Sequence, residues 1–256
     1  MKKAKRFLTG LLSAALALSL CAMPAMAEDV TGETTTTAPL ARAIDKSAKG
    51  TITIHKYEYN GNDDKNGTGV AGDANNVPTD AKDLEGATFT YYQVMTADEL
   101  VEYYNGKSTE KVGINTYVDE NGQILSAYAN KPNGSGKTGK NGIVKFGDGE
   151  TGLPVGLYVI IETETPAKVT TPVEPFLVSL PMANPTNKAE WMYDVYVFPK
   201  NATTYGKVTL EKKGRVGGGT PENLNGVTYK LEKKVTADPE TWEEVTKNEQ
   251  TDEDLG

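Results

Sequence analysis

The sequence predicts an all-β fold, and three observations support this prediction. The chain of 256 residues is rich in Gly, Thr, Asn and Tyr, with 26 glycines and 13 tyrosines. Its apolar residues occur in short segments that alternate with polar residues and are separated by clusters of Gly, Asn and Asp, the pattern of strands and turns. Long amphipathic helical patterns are absent, and only residues 97–104 suggest a short helix. We therefore expect β-sheets with little helix.

Residues 1–27 have the features of a secretory signal peptide. An apolar segment over residues 7–20, too short to span a bilayer comfortably, is followed by a small-x-small cleavage site that ends at Ala27. Cys21 raises the alternative of lipidation, but Leu20 is unsuitable before a lipidated cysteine. Cleavage after Ala27 removes the single cysteine, so we expect no disulfide in the mature chain. The positive residues at its start are Lys2, Lys3, Lys5 and Arg6.

The mature chain is strongly acidic. Without the four basic residues of the signal peptide, 23 basic residues oppose 35 acidic ones, a net charge of −12. This charge argues against binding to nucleic acid or to an anionic membrane. Residues 28–48 include four consecutive threonines and no periodicity, which predicts a flexible N-terminal segment.

From residue 50 onward, strands and turn-rich loops alternate. The loops are predicted at 60–83 and 130–142. The first loop groups Asn62, Asp63, Asp64 and Asn66, but it lacks the twelve-residue calcium pattern with a terminal Glu. We interpret it as an ordinary turn and expect neither a metal nor a cofactor. The strands are predicted at 51–57, 87–94, 143–146, 156–162, 176–180 and 193–198.

The chain contains an internal repeat. The pattern of residues 52–56 recurs at 208–212, and that of residues 84–89 recurs at 224–229. This order predicts two copies of one β-domain, at residues 49–203 and 204–256. Because the second copy stops before any counterpart of the later strands, we interpret it as incomplete and the chain as a fragment.

Residues 191–201 form the most informative segment. They alternate like a strand, and Pro199 cannot donate to a sheet ladder, so we expect Lys200 to be presented at the strand's end. The segment resembles the pilin motif W-x-x-x-V-x-V-Y-P-K of backbone pilins from Gram-positive bacteria, with Phe198 in place of Tyr. The resemblance implies that a sortase joins Lys200 to another subunit. The alternative is that Lys200 is an ordinary solvated lysine at a strand end, without a functional role. The matching residues are Trp191, Val195, Val197, Pro199 and Lys200.

Lys56 and Glu162 are candidates for a buried pair. Lys56 shares strand parity with Ile52 and Ile54, and Glu162 shares parity with Ile160. Burial favours the neutral forms of an amine and a carboxylic acid. A neutral amine can attack the side chain of an Asn while the acid hydrogen-bonds the developing oxyanion and moves protons, which leaves an isopeptide bond and ammonia. An ordinary salt bridge remains the alternative.

Residues 153–166 carry a second resemblance, to the E-box and preceding L-P-x-G turn of collagen-adhesin B-type (Cna B) domains. It implies tandem Ig-like β-sandwich domains, with Glu162 as the catalytic acid and Lys56 as the cross-linking lysine. Asn201 is the expected acceptor, and Lys212 is the equivalent lysine of the second domain. Glu164 has the same parity as Glu162 and is the rival acid.

Together with the signal peptide, the two resemblances imply a secreted, cell-wall-linked structural subunit of a covalently polymerised pilus. Its expected partners are other pilin subunits, a pilin sortase and, as an open question, a host surface. The alternative is an adhesin or minor pilin built from the same domains. The mature chain has no cysteine, no G-x-S-x-G motif and one histidine, His55, so we do not expect an enzyme. His55 should face solvent, away from Lys56, and it lacks the partners for a metal site.

Overall fold

The structure is a computed structural model that describes residues 43–61, 68–72, 77–106, 112–148, 151–187, 189–237 and 239–248. The predicted signal peptide and the loop residues weighed for calcium lie outside these ranges. The chain divides into two compact units between Thr203 and Thr204. Within the described residues, the structure contains no helix of the length and apolar character that crossing a membrane requires.

The first unit is built from strands, as the sequence predicts. Its α-helix, α1 (Ala97–Tyr104), begins with a capping box in which Glu99 accepts a hydrogen bond from the backbone N–H of Thr96 at 2.7 Å. The strands described here are β1 (Lys49–His55), β2 (Tyr57–Glu58), β3 (Lys82–Asp83), β4 (Thr88–Met95), β5 (Asn133–Lys137), β6 (Ile143–Phe146), β7 (Leu153–Pro154), β8 (Gly156–Glu164), β9 (Val169–Thr171), β10 (Phe176–Leu180), β11 (Met182–Ala183), β12 (Trp191–Met192), β13 (Asp194–Val197) and β14 (Lys200–Thr203).

Two sheets of this unit share one core. The first has the order β13-β1-β6, with β7 also paired to β1, and the second has the order β10-β8-β4-β5. β1 runs parallel to β13 and antiparallel to β6. Side chains from both sheets form one buried cluster, so the sheets pack face to face as a β-sandwich. The cluster includes Ile52, Ile54, Phe89, Tyr158, Ile160, Val178, Val195 and Val197.

β8 is the central strand, and both of its faces are buried. Tyr158 and Ile160 point into the sandwich core, whereas Val159 and Ile161 belong to a second cluster with Leu100 of α1. The alternation predicted for this strand is therefore confirmed. It brings Glu162, the next residue of the Tyr158 face, to the end of the sandwich core.

A third sheet, with the order β3-β2-β14-β9, positions the candidate site. The strand predicted over 51–57 is interrupted at Lys56, whose N–H donates to the carbonyl of Gly142 at 2.8 Å. Gly142 has φ +68° and a Cβ there would lie 2.4 Å from the Lys56 carbonyl oxygen, so this close approach requires glycine. After the interruption, β2 runs parallel to β14, and Glu58 is the register partner of Asn201.

The prediction of a loop over residues 130–142 is wrong in part, because β5 lies within this segment and forms an edge strand against β4. The glycines of β5 led to the prediction of a loop, since Gly is common in turns. Here they make room for packing: a Cβ at Gly134 would lie 2.8 Å from the ring of Tyr91.

The second unit consists of two antiparallel hairpins within its described residues. The segments 208–212 and 224–229, which carry the repeat, do not form strands. Val208 and Leu210 are 74% and 62% exposed, so no burial of apolar side chains stabilises a strand there. The strands of the two hairpins are β15 (Lys213–Gly214), β16 (Glu222–Asn223), β17 (Glu232–Ala237) and β18 (Glu240–Glu244).

Candidate isopeptide site and pilin motif

The structure brings Lys56, Glu162 and Asn201 together. The Nζ of Lys56 lies 2.5 Å from Oδ1 of Asn201 and 3.2 Å from Oε2 of Glu162. The Nδ2 of Asn201 donates to both carboxylate oxygens of Glu162, at 2.8 and 3.0 Å. None of the three side chains is exposed to solvent. An amine, a carboxamide and a carboxyl group are therefore in mutual hydrogen-bond contact in a water-excluded site.

Each of the three residues comes from a different part of the fold. Lys56 lies at the interruption between β1 and β2, Glu162 lies near the end of β8, and Asn201 is the second residue of β14. Lys56 and Asn201 are 145 positions apart in the chain. Their contact is therefore a product of the tertiary structure, and a bond between them would close almost the whole first unit into a loop.

Burial makes the lysine easier to deprotonate. Desolvation lowers the pKa of Lys56 to about 8, and this effect is opposed by the attraction of Glu162 and reinforced by the positive charge of Lys200. The apolar ring of Phe89 lies 5.4 Å from the Nζ atom. A neutral amine, the form that can attack a carbonyl carbon, is thus accessible near neutral pH.

The hydrogen bonds also fix the orientation of the carboxamide. Oδ1 of Asn201 accepts from Lys56 and from the backbone N–H of Val173, at 2.7 Å for the latter. The reversed orientation would place the amide nitrogen, a donor, against these two donors. Glu162 therefore contacts the nitrogen end of the carboxamide. The sequence expectation had placed its acid at the oxygen, where the structure places Val173 instead. No signal in the sequence pointed to Val173, because the donor is a backbone N–H, which does not depend on the type of side chain.

The rival acid, Glu164, lies outside this site. Its side chain is 67% exposed, forms an ion pair with Lys137 at 3.6 Å and accepts from the hydroxyl of Thr88 at 2.8 Å. Strand alternation alone could not show which of the two glutamates lies in the site, because Glu162 and Glu164 have the same parity. The structure separates them because β8 leaves the sandwich core after Glu162.

The pilin-motif residues follow the strand alternation. Val195 and Val197 are buried in the core and pair with Ile52 and Ile54 of β1. Trp191 is half-buried, with its ring centroid 5.5 Å from that of Tyr104.

Lys200 does not occupy the exposed strand end that the sequence suggested. The ladder of β13 stops at Val197, and the carbonyl of Pro199 accepts from the N–H of Tyr57 at 3.0 Å. Pairing then resumes, because Lys200 opens β14 opposite Tyr57, and it is only 8% exposed. The solvated-lysine interpretation is therefore wrong.

His55 lies on the same side of β1 and β2 as Tyr57, and it has partners. Its Nε2 contacts Oδ1 of Asp83 at 2.8 Å, and its Nδ1 contacts the hydroxyl of Tyr57 at 2.7 Å. Burial raises the pKa of Tyr57 to about 12, so its hydroxyl keeps its proton at neutral pH. The expectation that His55 faces solvent is wrong in part, because the residue is half-buried and both of its ring nitrogens are in hydrogen-bond contact.

In the second unit, Lys212 is exposed and precedes β15, and its carbonyl accepts from the N–H of Leu224 at 2.9 Å. Its assignment as a cross-linking lysine stays a prediction. Across the part of the chain that the structure describes, no three His, Cys, Asp or Glu side chains are grouped as a metal site would require.

Comparison with known proteins bears on the first unit. Residues 47–202 match the family described as "Gram-positive pilin subunit D1, N-terminal domain". The chain is 36% identical over 193 residues to fimbrial subunit type 1 of Actinomyces viscosus, covering 74% of this chain and 32% of that protein. It is 30% identical over 196 residues to fimbrial subunit type 2 of Actinomyces naeslundii, covering 70% and 35%. The chain thus spans about a third of the length of these relatives.

Among solved structures, the fimbrial protein FimP from Actinomyces oris is 29% identical, with a TM-score of 0.44 over 64% of this chain and 32% of that one. The major pilin SpaD from Corynebacterium diphtheriae is 25% identical, with a TM-score of 0.43 over 63% and 34%. The family match covers more than half of the chain, includes the whole sandwich and contains both the pilin motif and the buried Lys–Glu–Asn cluster. The chain therefore belongs to the Gram-positive pilin subunits, a family of structural proteins rather than enzymes.

Proposed function

We propose that this protein is a backbone subunit of a covalently polymerised pilus that is secreted and linked to the cell wall. Lys200 is the nucleophile in this proposal, and a pilin sortase is the enzyme that uses it. The observation that carries the proposal is the position of Lys200 at the end of a pilin motif inside a domain that matches the pilin family. The Lys200 amine attacks the thioester between the sortase and the sorting signal of another subunit.

The burial of Lys200 sets a requirement for this reaction. A residue that is 8% exposed cannot enter the active site of an enzyme without a local rearrangement. Lys200 is the first residue of a four-residue strand, β14, so the rearrangement that this reaction requires lies at the start of that strand.

We propose in addition that Lys56 and Asn201 form an intramolecular isopeptide bond with Glu162 as the proton carrier. Support comes from the four hydrogen bonds among the three side chains, the complete burial and the lowered pKa of Lys56. Fixed proximity of the amine and the carboxamide replaces much of the entropic barrier to such a reaction, so no cofactor is needed.

The position of Asn201 gives this bond a mechanical purpose. Tension that enters at Lys200 and leaves along the chain after Thr203 acts on β14, which has only four residues. The bond joins the second of these residues to Lys56, beside β1, whose partners are core strands. Covalent attachment would therefore keep β14 in place under load and would restrict access by proteases.

A sortase assay tests the pilus proposal. The chain from residue 28 is incubated with a pilin sortase and a peptide that carries an L-P-x-T-G sorting signal, and ligation is followed by mass spectrometry. We expect Lys200→Arg to abolish ligation, because a guanidinium is not a nucleophile at neutral pH. Lys207→Arg, at an exposed lysine seven positions later, is the matched control and should ligate normally.

Two results would contradict the proposal. Ligation that persists in Lys200→Arg would assign the linkage to another lysine. Wild-type protein that is never ligated, in a reaction where an established pilin is, would favour the alternative of an adhesin or minor pilin.

A further inference from the structure

We propose that the backbone N–H of Val173 is the oxyanion donor of the isopeptide reaction. This inference rests on the internal cross-link proposed above and deepens it. It divides the catalytic work between two groups: Val173 stabilises charge on the oxygen of Asn201, and Glu162 carries the proton to its nitrogen.

The contacts around Asn201 carry the assignment. The N–H of Val173 donates to Oδ1 of Asn201 at 2.7 Å and, more weakly, to Oε2 of Glu162 at 3.2 Å. Both oxygens of Glu162 accept from Nδ2 of the same carboxamide. Apart from the attacking amine, Val173 is therefore the donor that the described residues place on the atom where negative charge develops.

The donor is held in place before the reaction begins. Val173 lies between Pro172 and Pro175, whose rings restrict the backbone on both sides, and its own side chain is buried in the sandwich core. A donor that is already oriented stabilises an oxyanion without reorganisation during the reaction.

The shared hydrogen bond also explains why this donor should favour the transition state. Transfer of a proton from the Lys56 ammonium to Glu162 removes the negative charge from Oε2. At the same stage, attack of the amine moves electrons onto Oδ1. The N–H of Val173, shared between the two oxygens at first, then interacts mainly with Oδ1. An interaction that strengthens along the reaction accelerates it, whereas one of constant strength does not.

The reaction conserves atoms and charge. Lys56 gives one proton to Glu162, and its neutral Nζ forms a bond to Cγ of Asn201 while the C=O electron pair moves to Oδ1. Glu162 returns the proton to Nδ2, the Cγ–Nδ2 bond breaks and ammonia leaves. The electron pair on Oδ1 restores the C=O bond, and the second proton lost by Nζ leaves on ammonia as ammonium. The product is a secondary amide whose oxygen remains bonded to Val173.

An amide-to-ester substitution tests the inference. Replacing Val173 with α-hydroxyvaline removes the N–H and keeps the side chain. The matched control is the same replacement at Val169, whose N–H donates to the carbonyl of Pro166 at 2.9 Å, outside the site. Each chain, from residue 28, is made by cell-free translation. Samples are quenched in denaturant over time, and the loss of one ammonia is measured by intact mass.

We expect the ester at Val173 to slow cross-linking on the order of 100-fold, the usual effect of removing one oxyanion donor, and the ester at Val169 to leave the rate within a few-fold of wild type. Equal rates for wild type and the Val173 ester would overturn this inference alone. A wild-type chain that keeps its ammonia would overturn the proposed cross-link as well, so the two failures are distinguishable.

A second measurement needs no substitution at Val173 and covers the case in which the ester does not fold. In wild-type protein labelled with ¹⁵N and ¹³C, a scalar coupling across the hydrogen bond should connect the amide nitrogen of Val173 to the side-chain carbonyl carbon of residue 201. Absence of this coupling in the folded protein would overturn the inference.

Discussion

Blocking the internal cross-link with Glu162→Gln should lower the free energy of unfolding by at least about 5 kcal/mol. Lys56 and Asn201 are 145 positions apart, and a covalent link over a loop of that length removes about 17 cal/mol/K of entropy from the unfolded chain, or about 5 kcal/mol at 25 °C. Gln keeps the shape of Glu but cannot carry the proton. Loss of the partner of a buried lysine adds to this cost.

Intact mass and urea denaturation check this expectation together. Wild type should lack the mass of one ammonia and Glu162→Gln should retain it. The variant should also have a larger m-value, because its unfolded state is not held compact by the link. The melting temperature should fall by about 10–20 °C for a domain of this size.

The control is Glu164→Gln, which removes the exposed glutamate two positions away. It should keep the cross-link and change stability by no more than about 1 kcal/mol, because its ion pair with Lys137 lies at the surface. The reasoning fails if the wild type has lost ammonia and yet both variants unfold at the same urea concentration as the wild type.

Three further outcomes are expected. In Asn201→Ala, which cannot cross-link, Lys56 stays buried, and burial lowers its pKa, which is about 8 in the native site against 10.5 when unfolded. The unfolded state therefore binds more protons between these values, so stability should rise with pH there, by up to roughly 3 kcal/mol. Urea titrations at several pH values measure this, and addition of Lys56→Met should remove the rise; a rise that persists would contradict the assignment. Ile160→Ala, at a fully buried core position, should cost about 2–5 kcal/mol by urea denaturation, and a cost below about 1 kcal/mol would be inconsistent with the core described here. Thr96→Ala should cost about 1 kcal/mol by thermal melting because α1 loses its capping box, whereas an unchanged melting temperature would show that the cap does not stabilise the unit.

Much of the first unit could be predicted from alternation alone. β4, β6, β8 and β10 lie close to their predicted bounds, because each buries at least one face and burial imposes period two on the sequence. The prediction failed where apolar burial gives no signal. β5 is a glycine-containing edge strand, and the repeat in the second unit keeps its apolar pattern although the segments that carry it are exposed.

The candidate site, too, could be predicted only in part. Parity placed Lys56 and Glu162 on core-facing positions, and the pilin motif singled out Lys200 and its neighbour Asn201. Alternation could not exclude Glu164, because both glutamates have the same parity, and the burial of Lys200 could not be anticipated, because it depends on pairing with β2.

The sequence by itself determined the all-β class, the faces of the main strands and the residue types needed for an amine to attack a carboxamide. These properties are local, since they depend on the spacing of side chains along one segment. Tertiary structure decided which groups meet: it brought Lys56 to an acceptor 145 positions away, moved Glu164 to the surface and directed the N–H of Val173 at Oδ1 of Asn201. Contacts between distant segments depend on how sheets pack, and a backbone donor is the same in every residue except proline. No pattern of side chains in the sequence could therefore have revealed it.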